Sequence, residues 1–258
     1  MNSDPQFLHK YRALDGGGLE RVRETLIRKV LWLSRPDDFN DPFDCFPVID
    51  TSLTREGLKE IARRVAERRG RNRPKWEKRQ ELKSALHAAR RGRMTRDEAQ
   101  QIAVSTMAQI RENMGVLSLS EEPDNVLMWS HYAQSHSGVV LSFRTNSGDL
   151  ISEAQQVRYS ADRPVVDFVG DRENTMVKTL LRKADYWSYE REWRVIRTGR
   201  PGLHSFNPDS LASIIFGART RPEHISVIKR AASIGGLKVN FGRAQFDQNK
   251  FRLNIIDA

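Results

Sequence analysis

Cysteine is nearly absent from this chain: Cys45 is the only one among 258 residues. No disulfide can form within the chain, and a zinc site built on several thiolates is excluded. No apolar run approaches the roughly 20 residues needed to cross a bilayer. The opening Met1-Asn2-Ser3-Asp4-Pro5 lacks the basic-then-apolar order of a signal peptide, so a cytoplasmic location without membrane insertion is expected. There is no internal repeat and no low-complexity tract, which leaves a packed globular core as the expectation. With 38% hydrophobic and 29% charged residues, the composition suits such a core.

The charge is present and unevenly placed. Residues 55–111 carry 17 Lys/Arg against 7 Asp/Glu, an excess equal to the net charge of +10 on the whole chain. A concentrated positive segment is the footprint of a polyanion binder, so nucleic acid is the expected partner. Arg63, Arg64, Arg68, Arg69, Arg71, Arg73 and Lys75 are the expected phosphate contacts. A solvated helical surface rich in arginine would give the same count.

The basic segment has helical period. Leu58, Ile61, Ala62 and Val65 make one apolar stripe, and Leu82, Ala85, Leu86 and Ala89 another. Thr95-Arg96-Asp97-Glu98 has the form of a capping box. The segment therefore reads as a basic helical insertion, residues 51–113, within a single domain over residues 1–258. Around it, strands are expected at Phe7–Arg12, Val30–Ser34, Gly115–Ser120, Gly138–Phe143, Gln156–Tyr159, Ser213–Phe216, Leu237–Phe241 and Phe251–Ile256. Helices are expected near residues 19–27, 126–133, 172–184 and 222–232. The irregular alternation implies an α+β fold with a mixed, mainly antiparallel sheet rather than a doubly wound one.

Tyr186-Trp-Ser-Tyr-Glu-Arg-Glu-Trp-Arg194 stands out within this pattern. Its aromatic content and the following Val195-Ile196 predict one strand. Alternation then puts Trp187, Tyr189, Trp193 and Val195 on a core face, and Glu190, Glu192 and Arg194 on the other. Two carboxylates on one face of an aromatic strand point to a cleft or a buried ion-pair network with Lys10, Arg12 or Lys183. Asn40, Asp41 and Asp44 suit side-chain-to-backbone bonds that fix a turn, and Met128-Trp129 suit the core. His136, beside Gly138, is expected to be exposed.

Four motifs occur in order: Lys10-Tyr11-Arg12, Phe39-Asn-Asp-Pro-Phe-Asp44, Met128-Trp-Ser-His-Tyr-Ala133 and Tyr189-Glu-Arg-Glu-Trp-Arg194. In these the chain resembles a widespread bacterial and phage-borne family of uncharacterised domains, over residues 8–220 with 55–111 as a variable insertion. A more distant resemblance is to the ADP-ribosyltransferase fold of the arginine–serine–glutamate class. That class has a basic residue on an early strand, a Ser-x-Ser strand in the middle and a Glu-x-Glu strand late. Arg12 or Lys10, Ser118-Leu119-Ser120 and Glu190-Arg191-Glu192 stand in that order here, with Leu119 where the class usually has Thr.

That resemblance implies an ADP-ribosyltransferase-like sheet and NAD as a substrate. Glu192 would be the catalytic carboxylate and Glu190 its partner. Arg12 or Lys10 would hold a ribose or phosphate oxygen, Ser118 or Ser120 would bond the dinucleotide, and His131 and Tyr132 would line its site. Tyr132 or Trp129 would stack on nicotinamide. The phage and bacterial spread implies a toxin or phage-defence role. Two other functions fit the residues. A metal-dependent nuclease would use Asp41, Asp44, His131, Glu190 and Glu192 as ligands. A non-enzymatic nucleic-acid-binding module would need only residues 55–111.

Overall fold

The computed structural model describes residues 4–50, 111–167 and 177–258, with scattered positions between 76 and 109. Fourteen strands follow one another along these residues. They are β1 (Phe7–Arg12), β2 (Val30–Leu33), β3 (Val48–Asp50), β4 (Met114–Ser120), β5 (Val139–Arg144), β6 (Gln155–Gln156) and β7 (Arg158–Ser160). Then come β8 (Val165–Asp167), β9 (Arg182–Ala184), β10 (Glu192–Thr198), β11 (Gly202–Ser205), β12 (Leu211–Phe216), β13 (Asn240–Phe246) and β14 (Leu253–Asp257). Eight of them form the main sheet, in the order β14-β13-β12-β5-β1-β4-β10-β6. Only β12 and β13 run parallel, the remaining neighbours being antiparallel. The mainly antiparallel α+β fold read from the sequence is therefore present.

Among the described residues, three helices pack on the main sheet. α1 (Gly18–Arg28) buries Val22 and Leu26 and exposes its Glu/Arg side. α2 (Val126–Tyr132) is capped by Asn125, whose side chain accepts from the N–H groups of Leu127 and Met128. α3 (Pro222–Ile234) opens on Pro222 and supplies the crossover that the parallel β12–β13 pair requires. One sheet face packs Leu8, Leu117, Leu141, Phe143, Val195 and Phe216 with Val22 and Leu26 of α1 and Ile228 of α3. Burying each such side chain contributes about 1.5–3 kcal/mol. The other face packs Tyr11, Val140, Ile215 and Ala244 with Met128 and Trp129 of α2.

Three local expectations differ from the structure, besides the helix expected near 172–184, whose last residues Arg182–Ala184 form β9. The segment Tyr186–Ile196 is not one strand: Asp185–Glu190 form a 3-10 turn, and β10 begins at Glu192. Arg191 is the break, with φ 43 in the left-handed region and its N–H bonded to the Ser188 carbonyl. Alternation therefore orders Glu192, Arg194 and Val195, but not Trp187 or Tyr189. Second, Gln156–Tyr159 is split, β6 pairing with β10 and β7 with β9. Third, the strand expected from Leu237 starts at Asn240, because the Leu237 N–H still bonds back to the Ala232 carbonyl at the end of α3.

The helical insertion expected over 51–113 lies largely outside the described residues. The described positions between 76 and 112 are helical. Arg63, Arg64, Arg68, Arg69, Arg71, Arg73 and Lys75 all lie outside the described residues. Among the described residues, no helix is long and apolar enough to cross a membrane.

Candidate active-site cleft

Strand register builds the site. His9 stands opposite Ser120 and Ser142, and Ser120 stands opposite Glu192. Ser142, His9, Ser120 and Glu192 thus form a transverse polar row across β5, β1, β4 and β10. Directly opposed strand residues share a face, and this is the face that α2 covers. His9 Nδ1 lies 2.9 Å from the Ser142 hydroxyl. One step along, Arg194 stands opposite Ser118. β1 and β4 pair only at His9 and Ser120. Lys10 spans the two strands beyond that pair, its Nζ donating to the Ser118 carbonyl at 2.7 Å.

A cleft of about 380 Å³ opens here, within the range of small-molecule sites. Its lining includes His9, Lys10, Asn40, Asp44, Ser118, Ser120, His131, Tyr132, Lys183, Glu190 and Glu192. The left-handed Arg191 turns the chain so that Glu190, from the 3-10 turn, joins Glu192 from the strand. The Ser120 hydroxyl holds that turn by donating to the Glu190 carbonyl at 2.7 Å.

Beneath the cleft lies a buried ion-pair network. Arg194 is fully buried. Its Nε donates to Glu192 Oε1 at 2.7 Å and its Nη2 to Glu192 Oε2 at 2.9 Å. The same guanidinium bonds both oxygens of Asp44, at 2.9 and 2.7 Å, and the Leu180 carbonyl at 2.7 Å. Lys183 sits among three carboxylates: it bonds Glu190 and Glu192, and its Nζ is 3.6 Å from Asp44. Glu190 Oε1 accepts from the Tyr132 hydroxyl at 2.6 Å, and the Glu192 N–H donates to the Tyr159 hydroxyl at 2.8 Å. Every buried charge in this network is compensated, as burial at this depth demands.

The network pushes the two carboxyls in opposite directions. Burial raises the Glu192 carboxyl, but the charges of Arg194 and Lys183 outweigh it and hold the group well below the usual carboxylate range. A hydrogen bond from Ser118 adds to this. For Glu190, burial and the Glu192 charge prevail over the pull of Lys183, and its carboxyl is raised. Lys183 is raised by Glu192, Glu190 and Asp44 against the cost of its own burial. Lys10 goes the other way: burial, then the charge of Arg12, bring its ammonium down to about 7. Burial also lowers His9, to about 4.

Glu190, Glu192, Lys10, Ser118, Ser120, His131 and Tyr132 therefore converge on one cleft. Arg12 is not in its lining. Arg12 lies near Arg21, and burial and that like charge lower it to about 10. Trp129 is fully buried, its indole N–H donating to the Pro123 carbonyl, and so cannot stack on a ligand. Asp41 fixes its turn as expected, accepting from the Phe43 N–H. Asp44, by contrast, is the partner of Arg194. Asn40 lines the cleft together with Tyr132. His136 is buried rather than exposed, stacked on Trp129 at 6.5 Å between ring centroids. The carboxylates of Asp44, Glu190 and Glu192, expected as nuclease ligands, hold Lys183 and Arg194. Among the described residues no group of three or more His, Cys, Asp or Glu is arranged to hold a metal. Sequence reasoning did not find His9. Its place two residues before Tyr11 on the α2 face was the available signal.

Comparison with curated proteins and with solved structures gives no match. Residues 128–195, which run from α2 to β10 and carry His131, Tyr132, Lys183, Glu190 and Glu192, match a family described as a protein of unknown function, DUF2971.

Proposed function

We propose that this cleft cleaves the nicotinamide–ribose bond of NAD and passes the ADP-ribosyl group to an acceptor. The observation that carries this reading is the convergence of Lys10, Ser118, Ser120, His131 and Tyr132 on a pair of carboxylates with opposite proton affinities. The adjacency of β1, β4 and β10 in one antiparallel sheet supports an ADP-ribosyltransferase-like core, because these strands bear the basic, serine and second glutamate positions in that order.

Breaking the glycosidic bond develops positive charge on the ribose. Glu192 is held as an anion by Arg194 and Lys183, which occupy both of its oxygens, so in this reading it stabilises that charge through its field at the cleft wall rather than by direct contact. Glu190, whose carboxyl is raised, suits removal of a proton from the incoming acceptor. Tyr132 positions Glu190 through its 2.6 Å hydrogen bond and offers an aromatic face beside the carboxylates. The acceptor in this reading is nucleic acid, drawn by the excess of basic residues in 55–111.

The test uses NAD labelled in its adenylate, the full chain, and RNA, DNA or protein as acceptors. Transfer of label by the wild type and its loss in Glu192→Gln support the reading. Because this substitution also weakens the grip on Arg194, the melting curve of the variant is measured alongside. A wild type that neither consumes NAD nor labels any acceptor overturns it.

A further inference from the structure

The cleft holds two lysines in contrasting surroundings. Lys183 Nζ is surrounded by Asp44, Glu190 and Glu192. Lys10 Nζ has no ion pair among the described residues and makes its hydrogen bond to an uncharged acceptor, the Ser118 carbonyl. The groups whose charges act on Lys10 are Arg12 on its own strand, Lys183 on β9, Glu190 at the end of the 3-10 turn and Glu192 at the start of β10. Desolvation, then the like charges of Arg12 and Lys183, favour the neutral amine against the pull of Glu192 and Glu190, and the neutral amine is the form that carries a nucleophilic lone pair.

We infer that Lys10 is a reactive amine that captures the aldehyde of a small hydroxyaldehyde, such as the open-chain form of a sugar, as an imine. The Nζ lone pair adds to the carbonyl carbon. The carbonyl oxygen then leaves as water with the two hydrogens of the amine, and a C=N bond remains, with no change in oxidation state. Glu190 is the cleft group suited to pass the proton to the departing oxygen. Asn40, His131 and Tyr132 line the same space and provide the polar groups that a hydroxylated ligand needs. The step requires the cleft and Lys10 but not NAD.

The lowered ammonium agrees with this role. With a value near 7, about half of Lys10 is neutral at pH 7. An ordinary lysine near 10.4 has only about one neutral molecule in 2,500. Part of that advantage is offset because a less basic amine is a weaker nucleophile.

The experiment treats the full chain with glycolaldehyde and cyanoborohydride, then follows each lysine by peptide mass spectrometry. At pH 7, Lys10 is expected to be labelled at least about tenfold faster than the exposed Lys238 and Lys250, with Lys183 unlabelled. Between pH 6 and 8 its rate levels off as the pH passes 7, while the exposed lysines keep accelerating. Propionaldehyde, which lacks the hydroxyl, should react more slowly at Lys10. The wild-type map needs no variant to fold, and Lys10→Arg should remove the fast labelling. Lys10 labelled no faster than Lys238 and Lys250, or equal rates for the two aldehydes, overturn the inference. Since no NAD is present, this outcome is separate from that of the transfer assay.

Discussion

Replacing Arg194 by Met tests the buried network most sharply. The guanidinium has no solvent exposure and makes charged hydrogen bonds to Glu192 and Asp44, besides bonding the Leu180 carbonyl. Methionine fills part of the volume but leaves two buried carboxylates with Lys183 as their only strong counter-charge among the described residues. Removing one partner of a buried pair costs about 3–5 kcal/mol. At the usual 2–4 °C per kcal/mol for a chain near this size, the melting temperature should fall by roughly 10 °C. The loss should also depend on pH. In the wild type the folded Glu192 carboxyl lies below its unfolded value of about 4.3, so its contribution is present above that pH and lost as pH falls. The variant lacks most of that depression, so the gap between the two proteins should narrow below about pH 4. Urea denaturation followed by tryptophan fluorescence at pH 7 and about pH 3 reads both effects. A loss under about 1 kcal/mol at pH 7, the scale of an exposed pair, would refute the argument. The part-exposed Arg197–Glu153 pair is the control, and Arg197→Ala should cost no more than about 1 kcal/mol.

Other consequences are separable from this one. Tyr132→Phe removes a hydrogen bond that holds the Glu190 carboxyl down, so the acid limb of the activity–pH profile should move to higher pH while the fold persists. Gly217→Ala would place a Cβ 2.1 Å from the His136 carbonyl oxygen, a backbone atom that cannot swing aside. It should destabilise by about 1–3 kcal/mol or more in urea melts, whereas Gly148, with nothing within 4 Å of an added Cβ, meets only the strain of its positive φ. Changing Arg63, Arg64, Arg68 and Arg69 together to Gln should weaken nucleic-acid binding. The slope of log K against log salt should become shallower by about 0.9 for each duplex phosphate that is no longer neutralised. An unchanged slope would place the polyanion elsewhere.

Much of the sheet could be read from the sequence because its strands carry their own patterns. Val139–Arg144 and Leu211–Phe216 are apolar runs that bury both faces, and Phe7–Arg12 matched its expected limits. The site was legible as a set of residues rather than as a geometry. Alternation along a single strand pairs Glu190 with Glu192, and they do meet at Lys183. The physical cause is different: Arg191 adopts a left-handed conformation, which carries no clear sequence signal at an arginine. Asp44 resembled a turn residue because it sits in Asn40-Asp41-Pro42-Phe43-Asp44, yet its partner Arg194 lies 150 positions away. No local pattern reveals such a pairing. His136 looked like a loop residue beside Gly138, and the chain is indeed turning there. A run of positive φ values at Gln134, Ser135 and His136 folds the imidazole back onto Trp129. The same limit applies to Lys10 and Arg12, two positions apart in their strand: only the placement of β4 beside β1 decides which of them reaches the cleft.

Release of nicotinamide from NAD by the full chain, with Glu190→Gln and Glu192→Gln measured beside it, bears most directly on the cleft as a site of glycosidic cleavage. The account predicts turnover by the wild type and a fall of about 10²–10³-fold in Glu192→Gln, the scale of losing one preorganised electrostatic group. In Glu190→Gln, transfer to an acceptor should fall more than release of nicotinamide. No release by the wild type, or release that persists unchanged in a folded Glu192→Gln, would contradict it.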